Sequence, residues 1–380
     1  MKTFTPLLFL ASLGAGGITI IPFAYLQYVH PHGKGLITLQ EILTNGLVFP
    51  LWTYIIMGIV MVVFTLIHIG LTVIFSTQLI DFARTDDARL LWNDPLKNTV
   101  FLAPFISFIM TMNVVIGPIR FFIPTLAENL QVVMPYAFYF WLAILFALLY
   151  TSIALLKISF TKGFDVDKIH FGWLLHPFAL AMATVTGMGI AAMATNANIA
   201  HSAAFFSLVS GTMGIFLFLV KVVALFKRHF RGEGMPEKQF LPSFLIVIPI
   251  LTLYAISLFR FGHYLAHHAG ATISDAYYLV VTTGLFAFET WYLLFGISLL
   301  FTYFKTSYRE REYYPTLWGL ICPFVAYAVL ASFVFASFVP THMFTVLVVL
   351  SEATAIVLFG DLLKRHILYV KQSRDIDCIG

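Results

Sequence analysis

Ten stretches of this chain are apolar over about the 20 residues that a helix needs to cross a bilayer. They fall at 4–29, 50–78, 99–123, 133–158, 175–196, 202–227, 242–265, 275–304, 316–338 and 344–363. Hydrocarbon offers no water to backbone N–H and C=O groups, so such segments must form helices that satisfy their own hydrogen bonds. The composition agrees: 60% of residues are hydrophobic and 11% charged, with a mean hydropathy of +0.91. The fold class read from this is an all-α integral membrane protein of ten spans, forming a single transmembrane domain over 1–380. The N-terminal run continues to Val29, longer than a signal-peptide core, and reads as an uncleaved first span.

Charge sets the orientation. With ten spans, both termini and the loops after even spans share one side. Of the 22 Lys and Arg residues, only Lys34, Arg120 and Arg260 fall on the other side, a split of 19 to 3. The positive-inside rule therefore puts both termini in the cytoplasm. The basic residues sit in short loops, from Lys2 to Arg374, and no nucleic-acid partner is expected. The two cysteines, Cys322 in mid-span and Cys378 in the polar tail, give no disulfide framework.

Helix breakers are unevenly placed. Every odd span holds an interior proline: Pro22, Pro104 with Pro118, Pro177, Pro249 and Pro323. In the even spans Pro50 and Pro135 stand only at the starts. The odd spans also carry Gly14, Gly16, Gly17, Gly117, Gly187, Gly189 and Gly319. The unit is a hairpin of about 70 residues, one broken helix and one regular helix, five times over. Irregular backbone at membrane depth is tolerated only inside protein or along a watery cavity. The expectation is thus an inner ring of five kinked helices around a central pore and an outer ring of five against lipid.

Few charged groups lie within the spans. Arg120 and Arg260 stand near the outer ends of odd spans, where they would either draw anions inward or snorkel to the interface. Glu289 and Glu352 lie on even spans. Proton coupling is one role for them; structural pairing with a neighbouring helix is preferred, because even spans should not line the axis. The 12 histidines raise a membrane haem or metal redox protein as a rival class. His68 alone lies near mid-membrane, and no HExxH pair occurs, so neither metal nor cofactor is expected. No nucleotide-binding or hydrolase fingerprint occurs in a plausible context, and no enzymatic activity is expected.

The alternating breakers, "NDPLKNTVFLAP" entering the third span, "LLHPFALAMATVTGMGIAAMA" in the fifth, "MPEKQFLPSFLIVIPILTLYAISL" in the seventh and "LWGLICPFVAYA" in the ninth resemble the tellurite-resistance/dicarboxylate transporter family. That family includes bacterial TehA and the plant slow anion channels. The resemblance implies a homotrimer in the bilayer of a bacterial or archaeal inner (plasma) membrane, with a pore in each protomer. It implies conduction of small anions such as chloride, nitrate, sulfite or related oxyanions, or of C4-dicarboxylates; a proton-coupled C4-dicarboxylate carrier is the alternative. Relatives plug the pore with a phenylalanine just before the ninth-helix proline. Here Cys322 takes that position, and Phe324 lies about 200° around a regular helix from it. The pore and gate candidates are Pro22, Gly17, Pro104, Phe108, Pro177, Gly187, Pro249, Gly319, Cys322, Pro323 and Phe324.

Overall fold

The computed structural model describes residues 4–33, 35–231, 234–338 and 340–377, with side chains through 372. Lys2, Lys34 and Cys378, and the side chain of Arg374, lie outside the described residues. Among the described residues ten helices are long and apolar enough to span a membrane. They are α1 (Pro6–Val29), α2 (Leu51–Phe82), α3 (Asn98–Phe122), α4 (Leu130–Lys162), α5 (Phe171–Met193), α6 (Ala197–Phe230), α7 (Lys238–His268), α8 (Asp275–Leu299), α9 (Pro315–Ser337) and α10 (His342–Gln372). Among the described residues there is no strand.

All five odd helices begin in the same way, with a tight 3-10 turn that passes into α-helix. The turns are Pro6–Leu8, Asn98–Leu102, Phe171–Leu174, Lys238–Ile246 and Pro315–Leu320. This revises the expected mid-helix breaks. Pro104 is the second residue of its α-helical segment, and Pro177, Pro249 and Pro323 are each the third. The first N–H groups of an α-helix have no intrahelical acceptor. A proline there removes little and presets φ for the helix. Two interior irregularities remain: Pro22, well inside the Phe9–Val29 segment, and the π-helical turn Val115–Ile119 that contains Pro118. The even helices also depart from expectation once, since α4 starts at Leu130 and so encloses Pro135.

Burial alternates with helix number. In the odd helices 50% to 100% of the most apolar window is buried, against 22% to 33% in the even ones. Tertiary contacts follow the same division. α1 packs on α3, α3 on α5, α5 on α7, α7 on α9, and α9 back on α1. The even helices leave large side chains such as Leu66, Tyr150 and Val357 uncovered, the surface that a hydrocarbon solvent requires.

Small residues and buried polar contacts hold the layers together. A side chain at Gly187 would overlap the ring of Trp141 on α4 and the hydroxyl of Ser207 on α6, so glycine permits this close approach. Trp141 Nε1 donates to the Ala183 carbonyl at 3.0 Å. At the α1–α2–α3 junction, His68 Nδ1 donates to the Ser12 carbonyl at 2.7 Å and Nε2 meets Thr111 Oγ1 at 2.9 Å. Ser107 Oγ donates to Ser12 Oγ at 2.9 Å, which in turn contacts Thr72 Oγ1. His68 is completely buried, and these contacts satisfy both of its ring nitrogens, as buried polar groups require.

Candidate functional site

The five 3-10 entry turns converge on the face of the bundle where the odd helices begin. There they enclose a cavity of about 280 Å³. Every odd helix contributes to its wall: Leu7 and Leu10 from α1, Thr99 and Val100 from α3, Gly172, Leu175 and Phe178 from α5, Gln239, Phe240, Ser243 and Ile246 from α7, and Gly319 and Cys322 from α9. The lining residues furthest along their helices are Leu10, Phe178, Ile246 and Cys322, all buried. The inner end of the cavity is therefore apolar, whereas Lys97 and His170 line its other end.

Hydroxyl groups stitch the entry turns to one another. Thr99 Oγ1 on α3 donates to the Gly172 carbonyl on α5 at 3.3 Å. Thr316 Oγ1 on α9 donates to the Gln239 carbonyl on α7, and Ser243 Oγ donates to the Phe240 carbonyl. The first two bonds join neighbouring entry turns, with the Gly172 carbonyl also accepting from the Leu175 N–H, while the Ser243 bond lies within one turn.

The gate and pore candidates separate into groups. Gly319 and Cys322 line the cavity, and Cys322 carries a free, buried thiol. Pro104, Pro177, Pro249 and Pro323 stand just behind the wall, at the 3-10 to α junctions. Phe324 is half-buried and packs against the core rather than lining the cavity. Phe108 meets Phe9 edge-on, with centroids 5.6 Å apart. Gly17 lies in the α1–α9 seam, where a Cβ would stand 2.8 Å from Val325 Cγ1. Gly187 faces α4 and α6, and Pro22 lies further along α1.

The two arginines occupy different settings. Arg120 is 3% exposed. Its Nε donates to the Ile116 carbonyl at 3.1 Å, and its Nη2 to the Leu36 and Ile37 carbonyls at 2.6 and 2.9 Å. It ties the segment between α1 and α2 to the end of α3. Arg260 is largely buried; its one hydrogen bond among the described residues runs from Nη1 to the Val185 carbonyl at 2.8 Å. Gly189 makes room for it, since a Cβ there would lie 2.9 Å from Nη1.

The acids also differ. Glu289 is fully buried on α8. Its Oε1 accepts from Thr252 Oγ1 of α7 at 2.7 Å, and its Oε2 has no hydrogen-bond partner. Glu352 is half-buried on α10.

Reading the residues one at a time missed Phe178, Lys97, His170 and Phe240. The available signal was positional: each lies in, beside or just beyond the entry segment of an odd helix, within eight residues of one of the prolines 104, 177 and 249, or close to it in the turn Lys238–Ile246.

No curated protein matches the chain. A family model described as voltage-dependent anion channel matches residues 3–363. That match covers nearly the whole chain and the helices that build the cavity, so this protein is a multi-span membrane protein belonging to the voltage-dependent anion channel family.

Proposed function

We propose that this protein conducts small anions through a path enclosed by α1, α3, α5, α7 and α9, one path in each protomer of a homotrimer. The observation that carries the reading is the cavity to which all five odd helices contribute. Its mouth holds Lys97, and its inner end closes on Leu10, Phe178, Ile246 and Cys322. An apolar constriction of this kind blocks ions by excluding water. Phe178 supplies aromatic bulk at a level where Cys322 is small, and so stands in for the phenylalanine that the resemblance led one to expect on α9. Arg260, at the far end of α7 with guanidinium donors to spare, supplies positive charge there. The split of 19 to 3 in basic residues supports a cytoplasmic position for the cavity mouth.

The test is anion flux from proteoliposomes containing chloride, nitrate, sulfite or malate, with and without a pH gradient. Electrogenic flux that follows the anion gradient alone is expected. Absence of flux for every anion removes the reading. Substituting Phe178→Ala should raise basal flux; unchanged flux would place the closure elsewhere.

A second reading, a proton-coupled C4-dicarboxylate carrier, is favoured by one observation. Glu289 is buried against the inner helix α7 with one carboxyl oxygen unpartnered. Intramembrane acids of this kind mark proton pathways. This reading requires malate uptake driven by a pH gradient and abolished by Glu289→Gln.

A further inference from the structure

The mouth of the cavity has polar side chains that are committed and others that are not. Thr99, Ser243 and Thr316 donate to backbone carbonyls, and the Gln239 amide donates to Glu237 at 2.7 Å. His170 and Lys97 are different. His170 is 8% exposed and lines the cavity, yet among the described residues neither ring nitrogen makes a well-formed hydrogen bond to a side chain or carbonyl; only the Leu96 backbone stands close enough to interact with them. A buried donor and acceptor left unpaired is costly, and such a group calls for an explanation.

The surroundings hold this ring in place. His170 has extended backbone, with φ −140° and ψ 166°. Its imidazole stacks on Phe240, with centroids 3.7 Å apart and planes 14° from parallel. Gly172 provides the space: a Cβ there would lie 2.8 Å from His170 Nδ1 and Cε1. Nearby, Arg228 Nη1 donates to the Ile169 carbonyl, while Arg228 Nε is buried without a partner. Lys97 reaches only the edge of ion-pairing distance from Asp94, at 4.0 Å, and is otherwise open to the mouth.

We propose that His170 and Lys97 form a binding site for a partly protonated oxyanion at the mouth of the cavity. The chemistry follows from the ring. Burial, then the charges of Arg228 and Lys97, pull His170 down to about 4, against a weaker opposing influence from the Leu96 backbone. The imidazole is therefore neutral at cellular pH, with one N–H donor and one acceptor nitrogen. Chloride or nitrate uses only the donor. Hydrogen sulfite, dihydrogen phosphate or a half-protonated dicarboxylate can in addition donate its O–H to the acceptor nitrogen, while its charged oxygen faces Lys97. Lys97 supplies the countercharge. The proposal deepens the anion-conduction reading and takes its physiological meaning from it, but binding is measured apart from flux.

The experiment uses the full chain in nanodiscs, with 15N-labelled histidine. The His170 resonances are assigned by their loss in His170→Phe, which keeps the stack, and in His170→Gln. Inorganic phosphate is titrated at mildly acidic pH, where the dihydrogen form predominates, against potassium chloride at matched ionic strength. The expected result is a saturable shift of the His170 nitrogens with phosphate, a markedly smaller one with chloride, and about tenfold weaker phosphate binding in Lys97→Gln. No shift with phosphate, or an equal shift with chloride, overturns the proposal. Saturable binding in a protein that passes no anion leaves this site standing and removes the conduction reading. Flux without His170 binding does the reverse.

Discussion

Arg120 offers the clearest quantitative test. The residue is 3% exposed, and its guanidinium sends two hydrogen bonds from Nη2 to the carbonyls of Leu36 and Ile37. Those residues lead into the helix Leu39–Asn45, which is fixed locally by a capping box between Thr38 and Glu41. Replacing Arg120 with Met keeps much of the apolar stem and removes the donors. Hydrogen bonds from charged donors contribute about 1.5–3 kcal/mol each. The two bonds to the loop thus represent about 3–6 kcal/mol, part of which is offset by no longer burying a cation. A net loss of about 3 kcal/mol raises local opening of the loop on the order of a hundredfold. Hydrogen–deuterium exchange on peptides covering residues 35–46 reads this directly. The expected outcome is faster exchange there, with little change in α5. Unchanged exchange over 35–46 would refute the tether, and equal acceleration in α5 would mean global destabilisation instead. The same variant also tests the expectation that Arg120 attracts anions: a pure tether leaves the ratio of chloride to sulfite flux unaltered.

Three further outcomes follow from the geometry. Cys322→Phe adds bulk at the inner end of the cavity and should reduce anion flux in proteoliposomes; a fully active variant would mean that this wall does not border the path. Gly187→Ala drives a methyl group into Trp141 and Ser207, an overpacking cost of about 1–3 kcal/mol that should appear as a lower melting temperature and altered Trp141 emission. His170 gives a pH dependence. Its folded value is depressed to about 4 from 6.5, so the unfolded chain takes up the proton first. The associated stability is complete above about pH 6.5, falls as pH drops toward 4, and amounts to about 3 kcal/mol. His170→Phe should flatten melting temperature against pH over that window.

The breaker pattern was legible because proline acts on its own backbone, whatever packs around it. Pro104, Pro177, Pro249 and Pro323 therefore announced, from sequence alone, which helices the structure buries. Their role was misread. In sequence a proline inside an apolar run looks like a break at membrane depth. In the structure each of these odd apolar runs begins with a 3-10 turn, and the α-helix starts only one or two residues before the proline. A 3-10 turn carries no hydropathy signal that separates it from α-helix, so the junction was invisible. Pro135 shows the converse, since the helix around it extends by one turn past the apolar stretch.

The site was less legible, for a different reason. Lys97, His170, Phe240 and Cys322 stand about 70 to 80 residues apart along the chain and meet because five similar entry turns close on one another. Nothing local to His170 distinguishes it from the other loop histidines; what distinguishes it is Gly172 beneath the ring and Phe240 above it. The glycines make the same point. Gly187 and Gly319 read alike in sequence, each small and each on an odd helix. One abuts Trp141 of an outer helix, and the other borders the cavity. Swapping the two demands distinguishes packing from path. A Gly319→Ala variant, with only Leu10 Cδ1 at 4.0 Å from the added Cβ, should fold with unchanged melting temperature and narrow the cavity, reducing flux, whereas Gly187→Ala should lower stability. If Gly319→Ala instead destabilised the fold and spared flux, the cavity would be a packing defect and the conducting path would have to run elsewhere.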